Sequence, residues 1–112
     1  MKYYHAIYVE EKLLSKKMEI LRKIENDEYQ FEMYLISLTK NEKNHLEIFH
    51  SVLLNQKAIS KEGLFIVGIA RGYQAVLELV EKITQEVYDE TEGVDISNYI
   101  LRKQQEYEKG NV

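Results

Sequence analysis

The sequence predicts a small α+β domain with a ferredoxin-like β-α-β-β-α-β core and two further helices at its C-terminal end. Short runs of aromatic and β-branched residues, typical of strands, alternate with longer segments whose apolar residues recur every three or four positions, typical of helices. Residues 64–69 are apolar except for Gly68 and lead directly into an amphipathic helix. A strand buried on both faces, with a helix laid over it, is the expected folding core.

The first half of the chain predicts a strand, a helix and a second strand. Residues 3–9 are aromatic and β-branched, with no fully polar face, and form the first predicted strand. Residues 10–26 follow a helical period, with acidic residues at the start and basic residues near the end, as the helix dipole favours. The apolar stripe of this helix is predicted to be Leu13, Leu14, Met18, Leu21 and Ile24. Residues 29–38 follow as a strand with one apolar face that includes Phe31 and one wetter face, which places the strand toward an edge of the sheet.

Two interpretations are open for residues 40–56. In the first, the polar residues 40–44 form a turn, and the alternating residues 45–49 form a short third strand that pairs with the second as a hairpin. Ser51 then caps a short helix that reaches Gln56. The buried side of that helix is predicted to be Val52, Leu53 and Leu54. If the whole segment is one helix, the expected architecture is instead a small doubly wound α/β sheet.

The second half predicts the core strand, a turn between Gly68 and Gly72, and a long helix. The buried stripe of the long helix is predicted to be Tyr73, Val76, Leu77, Val80, Ile83 and Val87. Gly93 is placed to end this helix in the left-handed conformation, and Asp95 is placed to cap a final helix. Little remains to be buried from Gln104 onward. Residues 1–103 are therefore predicted to form one domain, and residues 104–112 a frayed polar tail.

The segment GIARGYQAVLELVEKITQEVYDETEG, which begins at Gly68, resembles small uncharacterised bacterial proteins with the same strand–glycine–helix C-terminal half. The resemblance covers roughly the second half of the chain. It implies a bacterial protein and brings no activity with it, so it assigns no role to any residue.

Composition excludes several classes of function. The 112 residues carry a formal charge of −4 and a pI near 5.4, which argues against nucleic acid or an anionic membrane surface as the partner. Because the chain has no cysteine, disulfides, thiolate catalysis and cysteine-ligated metal centres are excluded. The N-terminal residues lack the pattern of a signal peptide, and no apolar run has the length of a membrane span. We therefore expect a soluble cytoplasmic protein.

The turn between Gly68 and Gly72 is the one place where the sequence indicates a ligand site. Main-chain N–H groups at a helix start attract anions, Arg71 could hold a phosphate or carboxylate, and glycine lets a ligand approach the main chain. The segment lacks the third glycine of the dinucleotide-binding pattern and the lysine of a phosphate-binding loop. The competing interpretation, which the sequence favours, is that Gly68 permits tight packing of the helix against the sheet and Gly72 permits the turn.

The remaining residues present no catalytic or metal-binding set. His5, His45 and His50 do not converge in either interpretation, so neither a metal nor a cofactor is expected. No serine stands in the Gly-x-Ser-x-Gly context of a nucleophile. Acid–base catalysis stays open because 19 residues are acidic, but those of the long helix fall on its solvated side, which favours a protein without enzymatic activity.

The nine tyrosines give the last functional indication. Tyr3, Tyr4, Tyr8 and Tyr34 lie on predicted strands and could form an aromatic sheet face, used for self-association or packed under the helices. The sequence thus predicts a non-catalytic interaction module that forms a homodimer through a tyrosine-rich face or a sheet edge. The alternative, from a different class, is a protein that binds a small anionic ligand, with or without catalysis, through Arg71 and the glycine turn.

Overall fold

In the computed structural model, which describes residues 1–39 and 45–110, a four-stranded mixed sheet carries helices on both faces. The elements in chain order are β1 (Lys2–Val9), a 3₁₀ helix (Glu11–Lys16), α1 (Lys17–Glu25), β2 (Met33–Leu38), β3 (Leu46–His50), α2 (Val52–Asn55), β4 (Phe65–Arg71), α3 (Tyr73–Thr91) and α4 (Ile96–Glu108). This succession of strands and helices is the predicted one, and the α+β class is confirmed. The turn predicted at residues 40–44 lies outside the described residues.

The strands lie side by side in the order β1-β4-β2-β3, which does not confirm the ferredoxin-like arrangement. β4 is parallel to β1 and antiparallel to β2, and β2 is antiparallel to β3. The doubly wound alternative required residues 40–56 to form one helix. Leu46–His50 is instead the strand β3, paired with β2, so that alternative does not apply. Apolar periodicity identifies a strand but does not specify which strands lie beside it, and the observed order therefore differs from the prediction.

The two interior strands are β4 and β2. The prediction of a buried core strand is confirmed for β4, whose side chains from Ile66 to Ala70 have no exposed surface. For β2 the structure corrects two expectations, since the strand is interior and begins at Met33. Phe31, expected on its apolar face, precedes the strand and is exposed. Glu32, with φ of 51°, accounts for the late start, because a residue in the left-handed region does not continue a strand.

Two apolar cores lie on opposite faces of the sheet, one under α3 and α4 and the other under the 3₁₀ helix, α1 and α2. The 3₁₀ helix and α1 bury Leu13, Ile20 and Ile24, whereas Leu14 and Met18 are exposed, contrary to the predicted stripe. Leu13, Ile20 and Ile24 recur at steps of seven and four residues and share one helical stripe, whereas Leu14 and Met18 belong to a neighbouring apolar stripe. Apolar periodicity alone does not decide which of two such stripes faces the sheet.

The helices of the second half are also rotated or extended relative to the prediction. The buried stripe of α3 consists of Val76, Leu79, Ile83 and Val87. At the end of α3 the left-handed residue is Glu92, with φ of 59°, instead of Gly93. Asp95 caps α4 as predicted, because its side chain accepts a hydrogen bond from the main chain of the first turn. α4 continues to Glu108, so the predicted tail is helical over residues 104–108, and Gln104 is buried.

Candidate functional site

The predicted ligand site lies where β4 passes into α3. Arg71 is the last residue of β4, and Gly72 is the N-cap residue of α3, with φ of 96°. Gly68 lies inside β4, opposite Tyr8 of β1 and Ile36 of β2. The predicted turn is therefore shorter than the sequence indicated, and Gly68 belongs to the sheet.

A groove of about 590 Å³ borders Arg71 and Gly72, between the start of the 3₁₀ helix and the first turns of α3. Its volume falls in the range of small-ligand sites. Gly72 provides no side-chain hydrogen bond to the first turn of α3. The charged residues that line the groove are Glu10, Glu11, Lys12, Arg71, Glu78 and Lys82. These three acidic and three basic side chains balance, so the groove has no net attraction for an anion through bulk charge.

Arg71 is held by contacts within the chain. Its main-chain N–H donates to Glu10 Oε2 at 2.9 Å, and its guanidinium Nη1 donates to the carbonyl of Phe31. A carboxylate of the protein thus lies at the place where the sequence predicts an anion. A small anionic ligand would have to bind beside the Glu10 carboxylate or displace it.

The predicted aromatic sheet face is covered by the helices. Tyr4 is buried, and Tyr3, Tyr8 and Tyr34 are half-buried. Tyr3 packs against the core of α1, whereas the other three pack against the core of α3 and α4. The four tyrosines therefore do not form one exposed surface. They pack under the helices, which is the second of the two uses that the sequence allowed.

Two glutamates of α3 accept hydrogen bonds from tyrosines around the buried ring of Tyr4. The Tyr8 hydroxyl donates to Glu86, and the Tyr99 hydroxyl donates to Glu90. Burial, with the charges of Glu86 and Glu90, raises the pKa of Tyr4 to about 12. Burial, with these hydrogen bonds to glutamate, also raises the pKa of Tyr8 and of Tyr99. All three hydroxyls are protonated at neutral pH, so neutral tyrosines of this cluster join α3 and α4 to β1.

The outer strand β1 is bound by the C-terminal half of α4. The His5 N–H donates to Gln104 Oε1 at 2.8 Å, and the His5 ring stacks on Tyr107 with ring centroids 4.4 Å apart. Lys2 forms an ion pair with Glu108 at the end of the same helix. These contacts occupy part of the β1 edge and hold α4 against it.

The other outer strand, β3, has one row of main-chain groups directed away from the sheet. The Ser51 N–H, next to the end of β3, donates to the Met33 carbonyl at 2.8 Å. With the register of the two strands, this bond determines which main-chain N–H and C=O groups of β3 point toward β2. Because antiparallel pairing alternates, the N–H and C=O groups of Leu46, Ile48 and His50 point outward. Within residues 1–39 and 45–110, no main chain pairs with this row.

An apolar flank of α3 lies on the β3 side of the same sheet face. Its members, which recur every three or four positions, are Tyr73, Leu77, Val80, Thr84 and Tyr88. Tyr73 is 57% exposed and Tyr88 is 48% exposed. The ring of Tyr34 contacts both Tyr73 and His50, with centroids 5.7 Å and 5.0 Å away, and so connects the flank to β3. The sequence predicted Tyr73, Leu77 and Val80 of this flank as buried core residues. Apolar periodicity shows which side of a helix faces the core, but it does not separate the centre of that side from its margin.

His45 and His50 lie at the two ends of β3, and His5 lies on β1. His45 Nδ1 accepts a hydrogen bond from the main chain of α4, and His50 Nδ1 accepts one from the main chain of α2. In the described part of the chain, no group of three histidine or acidic side chains is placed to hold a metal ion. The structure therefore keeps the three histidines apart, and each has its own partner.

No protein-family model matches the chain, and no significant match was found among curated proteins or solved structures. None of the helices in the described ranges is both long and apolar enough to cross a bilayer. The function must accordingly be inferred from the β3 edge, the α3 flank and the groove at Arg71.

Proposed function

We propose that this protein is a non-catalytic interaction module that forms a homodimer through the outer edge of β3 and the adjacent flank of α3. The observation that supports the proposal most directly is the outward row of main-chain groups on β3. An unpaired strand edge is a template for another strand. The edge of β1, in contrast, is partly occupied by α4.

A second copy of the chain can satisfy this edge without any further partner. Two β3 strands can pair antiparallel about a two-fold axis that passes near Ile48. Each outward N–H group then meets an outward carbonyl of the other copy, and one sheet continues through both subunits. Leu46 and Ile48 are half-buried in the monomer and would lose further solvent contact on pairing.

The same axis brings the two α3 flanks toward each other on one face of the joined sheet. The Thr84 hydroxyl donates to the Val80 carbonyl at 2.9 Å within its own helix, so the middle of the flank presents methyl groups and no unpaired hydroxyl. Tyr73 and Tyr88, at its two ends, combine an apolar ring with a hydroxyl that can remain in water. Apolar area removed from water favours association, while the strand hydrogen bonds set the orientation.

Sedimentation equilibrium at micromolar concentration tests this proposal, with an expected mass of about twice 13.3 kDa. Ile48→Pro removes an outward N–H group, leaves the hydrogen bonds to β2 in place and puts a ring where the second strand would approach, and edge strands tolerate such a proline. It also shortens a half-buried side chain, so its urea midpoint is measured together with its mass. We expect this variant to be monomeric and folded. Tyr88→Lys, which changes the flank and not the strand, should also weaken the dimer.

Met18→Lys is the matched control, because Met18 is 73% exposed and belongs to the helix on the other face of the sheet. It should leave the dimer unchanged. A wild-type protein that sediments as a single 13.3 kDa species would refute the proposal. Dimers of undiminished affinity in both Ile48→Pro and Tyr88→Lys would refute this placement of the interface.

The groove at Arg71 favours a second candidate function, the binding of a small anionic ligand at the start of α3. Phosphate, sulfate and common nucleotides are titrated while amide chemical shifts are followed. Shifts centred on Gly72 that weaken in Arg71→Ala would support the site, whereas Lys109→Ala, an exposed residue at the far end of α4, should have no effect. Shifts elsewhere, or none at millimolar ligand, would reject it.

A further inference from the structure

A histidine ring nitrogen binds a helix start at each end of β3. Next to the first residue of the strand, His45 Nδ1 accepts a hydrogen bond from the Ser97 N–H in the first turn of α4, at 3.1 Å. At the last residue, His50 Nδ1 accepts one from the Val52 N–H at the start of α2, at 3.0 Å. Ser51, the predicted cap of α2, makes no capping bond, and its Oγ is buried with no hydrogen-bond partner among the described residues. His50 therefore performs the capping role predicted for the serine.

Both hydrogen bonds require neutral histidine. A ring nitrogen accepts a hydrogen bond only when it carries no proton, so each ring must hold its hydrogen on Nε2. Protonation of Nδ1 would set a ring N–H against a main-chain N–H and break the bond. At α4 it would also place a positive charge beside the positive end of the helix dipole.

The two rings have different surroundings. Asp95 Oδ1 lies 3.6 Å from His45 Nδ1, and His45 itself stands one residue before β3, outside the outward row. His50 faces the ring of Tyr34, with centroids 5.0 Å apart. Among the described residues no carboxylate forms an ion pair with His50.

From this geometry we infer that protonation of His50, with a smaller contribution from His45, dissociates the proposed dimer as the pH falls. The charged His50 ring must turn away from Val52, which releases the start of α2 and loosens the end of β3. The main chain of His50 belongs to the outward row, so the loosened segment is part of the pairing edge. The inference rests on the proposed function, since it describes the regulation of that same edge.

The dimer dissociation constant is measured by sedimentation at about pH 8 and about pH 6, an interval over which histidine changes charge. Both values lie above the pI near 5.4, so the protein keeps a net negative charge. We expect the dissociation constant of the wild type to rise at least about tenfold at the lower pH. In His50→Asn, an amide oxygen takes the place of Nδ1 and does not titrate, so most of this rise should disappear.

Three comparisons separate the possible results. The double variant His45→Asn/His50→Asn should remain dimeric at both pH values, whereas His5→Asn, which changes the histidine of β1, should retain the full pH response. A dissociation constant that is equal at both pH values in the wild type, or an undiminished pH response in the double variant, overturns the inference and leaves the proposed dimer intact. A wild type that is monomeric at about pH 8 overturns the proposed function and this inference with it.

Discussion

Ile36 occupies the space that a side chain at position 68 would need. A Cβ atom at Gly68 would lie 2.9 Å from Ile36 Cδ1 and 3.4 Å from Ile36 Cβ. The two residues face each other across β2 and β4, next to a shift in the strand register, and Ile36 is completely buried. A glycine at this irregularity lets the two interior strands pack closely. The contact gives Gly68 a packing role between two strands, whereas the interpretation that the sequence favours placed the close packing between helix and sheet.

Gly68→Ala should lower the free energy of unfolding by about 1–3 kcal/mol, because the added methyl group forces a buried isoleucine to move. Urea denaturation followed by circular dichroism measures the change. Ile36→Val removes the closest atom, so the double variant should be more stable than the sum of the two single changes implies. Strict additivity of the two substitutions would contradict the packing role.

Gly72→Ala should be destabilising for a different reason. Gly72 has φ of 96° and ψ of 146°, a region that residues with a side chain rarely adopt, although a Cβ there would meet no atom of residues 1–39 and 45–110 within 4 Å. We expect a loss of about 1–3 kcal/mol in unfolding free energy, all of it from the backbone. Gly93→Ala is the control, since Gly93 has no positive φ and a Cβ there would make only ordinary contacts. Equal urea midpoints for the two variants would show that the conformation of Gly72 imposes no strain.

Ile66→Asp should abolish cooperative unfolding. Ile66 has no exposed surface in the interior strand β4, so the substitution would bury a charge without a partner. Met18→Asp places the same side chain on a residue that is 73% exposed, and it should change stability by less than about 0.5 kcal/mol. Calorimetry distinguishes the two. A cooperative transition in Ile66→Asp close to that of the wild type would contradict the burial of β4.

Alkaline pH should destabilise the protein through the tyrosine cluster. The pKa of Tyr4 is raised from 10.0 to about 12, so the unfolded chain loses this proton at lower pH than the folded protein does. The contribution of Tyr4 to stability is therefore complete below pH 10 and declines above it. Urea midpoints at about pH 9 and about pH 11 compare the complete contribution with one that is partly lost. Tyr4→Phe should show a smaller decline between the two values, and an identical decline would remove Tyr4 as a cause.

Local sequence patterns predicted the features that depend on local physics. The apolar run of β4, the alternation in β3 and the capping of α4 by Asp95 each follow from a few adjacent residues. The strand order depends on pairs that are distant in the chain, such as Lys2 with Phe65, for which no local pattern exists. Met18 is exposed because the stripe of α1 that faces the sheet is that of Ile20 and Ile24, and apolar periodicity alone does not choose between this stripe and that of Met18.

The candidate interface was only partly predictable. An edge was one of the two surfaces the sequence indicated, but which side of β3 faces outward is fixed by the hydrogen bond from Ser51 to Met33, a long-range contact. The capping role of His50 had a usable signal in the sequence. His50 stands two residues before Val52, from whose N–H it accepts a hydrogen bond, and this is a spacing at which asparagine and aspartate side chains accept from the main chain. Ser51 obscured that signal, since serine is the stronger expectation at a helix start.

Gln104→Ala should destabilise the protein, although residue 104 begins the segment that the sequence predicts to be a frayed tail. Gln104 is buried, its Oε1 accepts from the His5 N–H at 2.8 Å, and its Nε2 donates to Glu108 at 3.0 Å. Removing the amide leaves a main-chain N–H of β1 without its acceptor, which should cost about 1–3 kcal/mol.

Gln105→Ala is the matched control, because the neighbouring glutamine is exposed and makes no such bond within the described chain. Its unfolding free energy should stay within about 0.5 kcal/mol of the wild type. Amide exchange at His5 provides the second measurement, since it should accelerate in Gln104→Ala alone, and equal protection in both variants would show that α4 does not hold β1.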